Sequence, residues 1–143
     1  MVHALRQAHR VLKPGGLLID LRPAPAHRRV GIVSGGRYRR LGTTRASLDL
    51  DRAADRAVQR VRRDGLFRLE TGLRFDCRRV MDTPADFRAW VAELVDRRDA
   101  PPHEGLIRRV ERAFGRARTG RLLVMQGPVV VNALRRLAPR PAS

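Results

Sequence analysis

The chain has 143 residues, which is one domain's worth of sequence and leaves no room for two full domains. Its hydrophobic fraction of 43% favours a globular over a disordered protein, and no apolar run approaches the ~20 residues that a membrane-spanning helix needs. A net charge of +17 would attract nucleic acid or an anionic membrane, but the arginines are scattered over nearly every predicted element.

The N-terminal residues predict a helix, a turn and a buried strand. Apolar side chains recur at helical spacing across Val2–Leu12. Pro14 cannot continue a helix, and Gly15-Gly16 permit a sharp turn. The apolar run Leu17–Leu21 follows directly. Such a run between turn signals is typical of a strand that is buried on both faces of a parallel sheet.

The next segments predict a hairpin and a second helix. Two short strand-like pieces in "RVGIVSGGRYRRLGTT" flank Gly35-Gly36, a pair that suits a β-hairpin turn. After the hairpin, Ser47 or Asp49 can cap a helix that runs to about Asp64.

A long strand is predicted over Phe67–Cys77, because apolar and polar residues alternate strictly along it. One of its faces is expected to be covered and the other wetter, with Gly72 as a candidate bulge. Cys77, the only cysteine, falls on the apolar face and is expected to be a small core residue. A single cysteine forms no intrachain disulfide, and a cytoplasmic location is expected.

Two helices and further β-structure complete the chain. Thr83 as cap and Pro84 in the first turn predict a helix start, and a second helix is predicted over about 103–116. The closing segment is β-rich on both sides of Gly127-Pro128, so it is either a hairpin or one strand kinked at that dipeptide. The order of elements indicates an α/β fold with few parallel strands.

One stretch carries a family resemblance. "RVLKPGGLLIDL", Arg10–Leu21, closely resembles the segment that joins the fifth helix to the fifth strand in class I S-adenosylmethionine-dependent methyltransferases, of the methyltransferase type 11 kind. The strands near Phe67–Cys77 and Val129–Leu134 fit the places of the family's long sixth strand and antiparallel seventh strand. The resemblance implies a partial Rossmann-like sheet with extra helices, spanning residues 1–137. The composition of "APRPAS" predicts a disordered tail at 138–143.

The resemblance also implies what to expect of the cofactor, S-adenosylmethionine. In the family its site is built from segments that precede the matched motif, including a Gly-rich loop and an acidic residue, so no cofactor-binding residue is assigned here. The glycines between 31 and 42 form no G-x-G-x-x-G pattern. The chain alone is therefore expected not to be cofactor-competent, no catalytic residue is assigned, and the dispersed histidines indicate no metal site.

Three residues are candidates for the substrate side of such an enzyme. Asp20 lies near the C-terminal end of the predicted strand, the edge at which open α/β sheets bind ligands, and Arg22 and His27 follow it. These side chains either contact a substrate or, for Asp20, form a structural ion pair with a nearby arginine. The sequence leaves both alternatives open.

The leading hypothesis is thus a fragment or truncated form of a methyltransferase, for which a late start codon in a longer gene is the simplest explanation. A degenerate methyltransferase-like scaffold fits the sequence equally well. The alternative is a non-enzymatic, arginine-rich nucleic-acid-binding module in which Tyr38 is the main candidate for base stacking. The Leu17–Leu21 strand is expected to pair with a second copy or with a separate N-terminal half.

Overall fold

The structure is a computed structural model that describes residues 1–98, 100–117 and 120–138. Helices and strands follow one another in the mixed order predicted from the sequence, which confirms the α/β class. Within the described residues no helix is both long and apolar enough to cross a membrane. The elements are α1 Val2–Val11, β1 Leu17–Pro23, β2 Arg29–Ser34, β3 Arg37–Thr43, α2 Asp49–Arg63, β4 Phe67–Met81, α3 Pro84–Arg98, α4 Glu104–Arg116 and β5 Leu122–Arg136.

The sheet is antiparallel, contrary to the parallel pairing expected for β1. Residues Leu17–Pro23 pair antiparallel with Val129–Arg135 of β5. β2 pairs antiparallel with both β3 and the first half of β5, and β4 also pairs with β5. The final β-rich segment is therefore one strand and not a hairpin, which decides between the two alternatives left by the sequence.

The expectation that β1 is buried on both faces is wrong. Leu17, Ile19 and Leu21 are 46%, 59% and 65% exposed, whereas Leu18 packs against the core and Asp20 is buried. Alternate residues of a strand point to opposite faces, so helices cover one face of β1 and leave the other open. A pentapeptide with four apolar residues and one aspartate does not distinguish this arrangement from a strand covered on both sides.

The chain divides into two compact units, each described here by itself. Unit 1 comprises Met1–Pro25, Asp49–Phe75 and Val129–Ser143. It contains α1, β1, α2, the first part of β4 and the second part of β5. Its core is built by helix residues that pack on the covered face of the strands; the buried members are Leu5, Ala57, Val58, Val61, Phe67 and Leu134.

The Pro-Gly-Gly turn of the family-like motif is fixed to β5 in unit 1. Gly15 has a φ of 75°, a left-handed conformation that favours glycine. Its N–H donates to the Arg136 carbonyl at 3.2 Å, and the Arg136 N–H donates to the Gly16 carbonyl at 2.8 Å. The turn is thus a structural connection between α1 and β1, as expected for glycines that lead into a strand.

Unit 2 comprises Ala26–Leu48 and Asp76–Pro128. The predicted hairpin is confirmed: β2 and β3 pair from Arg29↔Thr43 to Ser34↔Arg37, and Gly35 and Gly36 both have positive φ, as a two-residue primed turn requires. Helices α3 and α4 pack on this sheet. The buried core residues are Val30, Met81, Phe87, Trp90, Val91, Leu106, Ile107, Val110, Leu123 and Met125.

Both helix starts in unit 2 follow the sequence signals. At α3, Asp86 Oδ2 accepts the Thr83 N–H at 3.0 Å, and the Asp86 N–H donates to Thr83 Oγ1 at 3.2 Å, which is a reciprocal capping arrangement. At α4, His103 is the N-cap residue, and its carbonyl accepts the Leu106 and Ile107 N–H groups at 2.9 Å.

The predictions for the long strand are partly wrong. β4 extends to Met81, but Phe75 is 49% exposed, Leu73 is 64% exposed and Cys77 is exposed, so none of them is a core residue. A Cβ placed on Gly72 would lie 4.0 Å from a methyl of Leu69, three positions earlier. In a regular strand, residues three positions apart point to opposite faces. The closeness of Leu69 and Gly72 therefore indicates an interruption of the alternation, of the kind that a bulge at Gly72 produces. The predicted tail at 138–143 lies, apart from exposed Ala138, outside the described residues.

Candidate substrate-side site

Asp20 and Arg22 form a buried ion pair on the covered face of β1. They are two residues apart on one strand and therefore share a face. The Arg22 Nε–H donates to Asp20 Oδ2 at 3.0 Å, and the two side chains are only 10% and 6% exposed. The structure thus brings together two of the three predicted site residues.

Two further residues complete this network. Asn132 stands directly opposite Asp20 in the β1–β5 register, and its Nδ2–H donates to the same Asp20 oxygen at 2.8 Å. Arg22 Nη1–H donates to Asp55 on α2, whose side chain is 33% exposed. We call Asp20, Arg22, Asp55 and Asn132 the β1 network.

The β1 network has a clear structural role. Burying a guanidinium is costly unless carboxylates and hydrogen bonds surround it, and here Arg22 lies between two carboxylates. One oxygen of Asp20 is occupied by two donors, so this carboxylate is held in place. Asp55 is more open to solvent than Asp20 and Arg22, so it is a group through which a ligand could reach the ion pair. The geometry supports the ion-pair alternative for Asp20, and substrate contact stays a prediction.

His27 belongs to unit 2, where its side chain is exposed. Nothing about its surroundings assigns it a chemical role. Among the described residues no group of three or more histidine, cysteine, aspartate or glutamate side chains is arranged to hold a metal ion.

The glycines of the described chain do not fit a cofactor-binding loop. Such a loop leads from a strand into a helix N-terminus, whose N–H groups face the ligand. Of the positive-φ glycines, Gly15 and Gly65 each lie between a helix and the strand that follows it, Gly35 and Gly36 form the hairpin turn, and Gly120 precedes β5. None of these glycines leads from a strand into a helix N-terminus, and no chemical step is assigned through S-adenosylmethionine.

His103 is a buried titratable group in unit 2. The residue is 8% exposed, and Nε2 accepts the backbone N–H of Arg45 at 2.7 Å. An imidazole that accepts at Nε2 is unprotonated there, and burial lowers the pKa of His103 below its ordinary value of 6.5, opposed by backbone groups of Pro101 and Arg45. The histidine therefore fastens the chain after β3 in its neutral form.

Sequence reasoning missed Asn132 and Asp55. The apolar pattern of β5 marks Asn132 as an interruption, but its partner becomes clear only with the β1–β5 register. Asp55 lies among the polar residues of an amphipathic helix and carries no signal of its own. It also missed an arginine-lined groove at the hairpin of unit 2, whose walls come from segments far apart in the sequence.

The fold and side-chain geometry define an α/β protein with an antiparallel sheet and a buried charged network on its first strand. No family model, no curated protein and no solved structure matches this chain. Any function must therefore be argued from the residues themselves.

Proposed function

We propose that the chain forms the C-terminal part of a class I methyltransferase fold, with β1, β4 and β5 in the places of the fifth, sixth and seventh strands. The observation that carries the proposal is the pairing of Val129–Arg135 with Leu17–Pro23, which follows the family-like motif. The family's seventh strand is antiparallel to its neighbours, and β5 is antiparallel to β1. The long β4 also pairs with β5.

The free edge of β1 supports the same proposal. Within the described residues β1 pairs with β5 alone, and its open face carries exposed leucine and isoleucine side chains. Exposed apolar edge strands tend to pair with another chain. In the family this edge is taken by the fourth strand. The partner proposed here is accordingly a methyltransferase N-terminal half, with self-pairing of two copies as the outcome when that half is absent.

The β1 network provides the rigid support in this proposal. Methyl transfer depends largely on positioning, and residues at the C-terminal end of a strand must be held firmly to orient a substrate. Asp20, itself held by Asn132, and Asp55 fix Arg22 at that end of β1. Arg22 is a positioning residue in this role, and no residue of the described chain is assigned as a base.

The decisive experiment uses calorimetry with S-adenosylmethionine. We expect no micromolar binding by the 143-residue chain, because its glycines form no cofactor loop. Where the gene encodes an in-frame strand and Gly-rich loop on the 5′ side of codon 1, the longer product is expected to bind. Light scattering measures whether the free edge of β1 pairs with a second copy. The 143-residue chain should self-associate, and the longer product should remain a monomer.

Two results contradict the proposal. One is micromolar binding of S-adenosylmethionine by the 143-residue chain itself. The other is an in-frame stop codon directly upstream combined with a clean monomer at high concentration, since neither a longer product nor an edge partner would then exist.

A further inference from the structure

The hairpin of unit 2 has an unusual local charge. Between Ala26 and Leu48 the sequence has six arginines and no aspartate or glutamate. The second strand, β3, begins with four consecutive exposed residues, Arg37-Tyr38-Arg39-Arg40. β3 is also the last strand in the sheet order, so within the described residues no strand pairs with its outer edge. A chain-shaped anionic ligand can therefore approach this edge along its length.

An open groove of about 290 Å³ lies on one face of this strand. It is lined by Arg37 and Arg39 of β3, by Ile32 and Ser34 of β2, and by Arg116 and Ala117 at the end of α4. Arg37 pairs with Ser34 and Arg39 with Ile32 across the hairpin, so both arginines point to the same face. Their Cα atoms are about 7 Å apart, from the rise of a strand. This separation is comparable to that of successive phosphates along a single strand of nucleic acid.

The charges in this groove are not neutralised. In the part of the chain that the structure describes, Arg37, Arg39 and Arg116 form no ion pair, and no carboxylate lines the groove. The C-terminal end of a helix is normally unfavourable for an anion, because its carbonyls carry negative partial charge. Here Arg121, stacked 4.4 Å from the Phe114 ring centroid, donates to the Ala117 carbonyl at 3.0 Å and offsets that charge.

The opposite face of β3 presents an aromatic ring. Tyr38 alternates with the two groove arginines and is 41% exposed. Its ring lies over Gly31: a Cβ on that glycine would come within 2.4 Å of the ring carbon Cε2. The glycine thus makes room for the tyrosine on the sheet surface, and the outer side of the ring is left open. Arg40 projects to the same face.

From these observations we propose that the β3 edge, comprising Arg37, Tyr38, Arg39 and Arg40 with Arg116 beside it, binds single-stranded nucleic acid without base-sequence preference. Guanidinium groups bind phosphate oxygens in a bidentate manner, and exposed aromatic rings stack on unpaired bases. An edge one strand wide with arginines on both faces fits a flexible single strand. A duplex would keep its bases away from Tyr38.

The larger groove in unit 1 provides the matched comparison. It has a volume of about 600 Å³ and also contains arginines, among them Arg62 and Arg63 of α2. Its walls include Phe67, Leu69 and Leu137, and the one aromatic ring among its lining residues, Phe67, is buried. Arg62 and Arg63 are exposed, so replacing both removes the same charge from the chain as replacing Arg37 and Arg39.

The test is fluorescence anisotropy with labelled oligo(dT) and oligo(U) of about 12 nucleotides, a length that spans such sites. Affinity is measured between about 50 and 200 mM salt. For Arg37→Gln/Arg39→Gln we expect weaker binding. The slope of log affinity against log salt concentration should also fall in magnitude by about 1.4, because each of two lost phosphate contacts contributes about 0.7. Arg62→Gln/Arg63→Gln should leave the slope unchanged. Tyr38→Ala should weaken binding about tenfold and Tyr38→Phe should not.

The proposal is overturned by any of four results. Equal loss in the two double variants would mean that binding follows net charge and not this surface. Duplex DNA bound as tightly as the single strands, or full affinity in Tyr38→Ala, would remove the single-strand assignment. Binding to phosphatidylserine vesicles with the same dependence on Arg37 and Arg39, without oligonucleotide binding, would assign the surface to a membrane. Circular dichroism checks that each variant is folded.

Discussion

Both compact units are rich in arginine, yet they hold these side chains in different ways. In unit 1, Arg22 lies between Asp20 and Asp55, and Arg135 donates to Glu70, whose pKa its guanidinium holds below the usual range. In unit 2, Arg37 and Arg39 at the tip of the hairpin form no ion pair within the described residues, and no carboxylate lines their groove. The comparison teaches that a net charge of +17 does not by itself indicate a binding surface. An acidic partner gives an arginine such as Arg22 a structural role, whereas the arginines proposed to bind a ligand lack such a partner and lie on a strand that also presents an exposed ring.

The largest expected effect comes from breaking a partnered arginine. Asp20→Ala removes one carboxylate from the buried Arg22 and leaves it with Asp55 alone. Loss of one member of a buried pair leaves charge uncompensated, and we expect a loss of about 3 kcal/mol in the free energy of unfolding. Urea unfolding followed by circular dichroism measures it. The matched control, Arg37→Gln/Arg39→Gln, should change stability by no more than about 0.5 kcal/mol, because these exposed side chains have no partner to lose.

The outcome that would break the comparison is a similar effect in both variants. An Asp20→Ala protein as stable as the control would show that the β1 network contributes little to holding unit 1. A hairpin double variant that loses as much stability as Asp20→Ala would show that its arginines have structural partners.

A smaller effect is expected at the hairpin turn, which depends on backbone geometry and not on ion pairs. Gly36 has a φ of 74°, and a Cβ there meets no atom within 4 Å. Gly36→Ala should therefore destabilise by about 1–2 kcal/mol through backbone strain alone. Gly115 of α4 also has open space around a Cβ but no positive φ, and Gly115→Ala should stabilise by about 1 kcal/mol. Thermal unfolding of Gly36→Ala and Gly115→Ala measures both effects as changes in Tm. A Tm change of the same sign and size in the two variants would contradict the strained turn at Gly36.

The smallest effect concerns pH and the segment after β3. Because the pKa of His103 is lowered in the folded protein, the unfolded chain takes up the proton more readily. The stabilisation is complete above the ordinary pKa of about 6.5 and declines as pH falls through 6.5 toward the lower folded value. Loss of the Arg45–His103 hydrogen bond corresponds to about 1 kcal/mol.

Differential scanning fluorimetry of the wild type and His103→Gln tests this. Between neutral and mildly acidic pH the wild type should lose about 3 °C more in Tm than the variant, since both share the same carboxylates and differ only in this titration. Parallel Tm curves over that range would show that His103 is not held neutral.

Most local elements could be predicted because their signals are local. The Thr83 helix start, the Gly35-Gly36 turn and the end of α2 near Asp64 each depend on residues close in sequence, and each occurs where predicted. Prediction was poorer where long-range packing decides. Phe75 and Cys77 alternate like core residues, but both are exposed, because alternation does not report which face receives a covering layer.

The candidate site was predictable only in part for the same reason. Asp20 and Arg22 are two apart on one strand, so their shared face follows from the sequence. Asn132 comes from a strand 112 residues later, and Asp55 from a helix 33 residues beyond Arg22. The groove at β3 requires the end of α4, which no sequence pattern near Arg37 indicates.

The hydrogen bonds between the Gly15-Gly16 turn and Arg136 have a consequence for how the protein folds during synthesis. Chain segments separated by about 120 residues must meet before unit 1 can close, and such non-local pairing is slow because loop-closure entropy is lost first. On the ribosome, β1 is made before β5 and remains without this strand partner until β5 emerges. During that interval the leucine and isoleucine side chains of β1 are free to pair wrongly with other strands. The yield of folded protein is therefore expected to depend on translation speed and on chaperones.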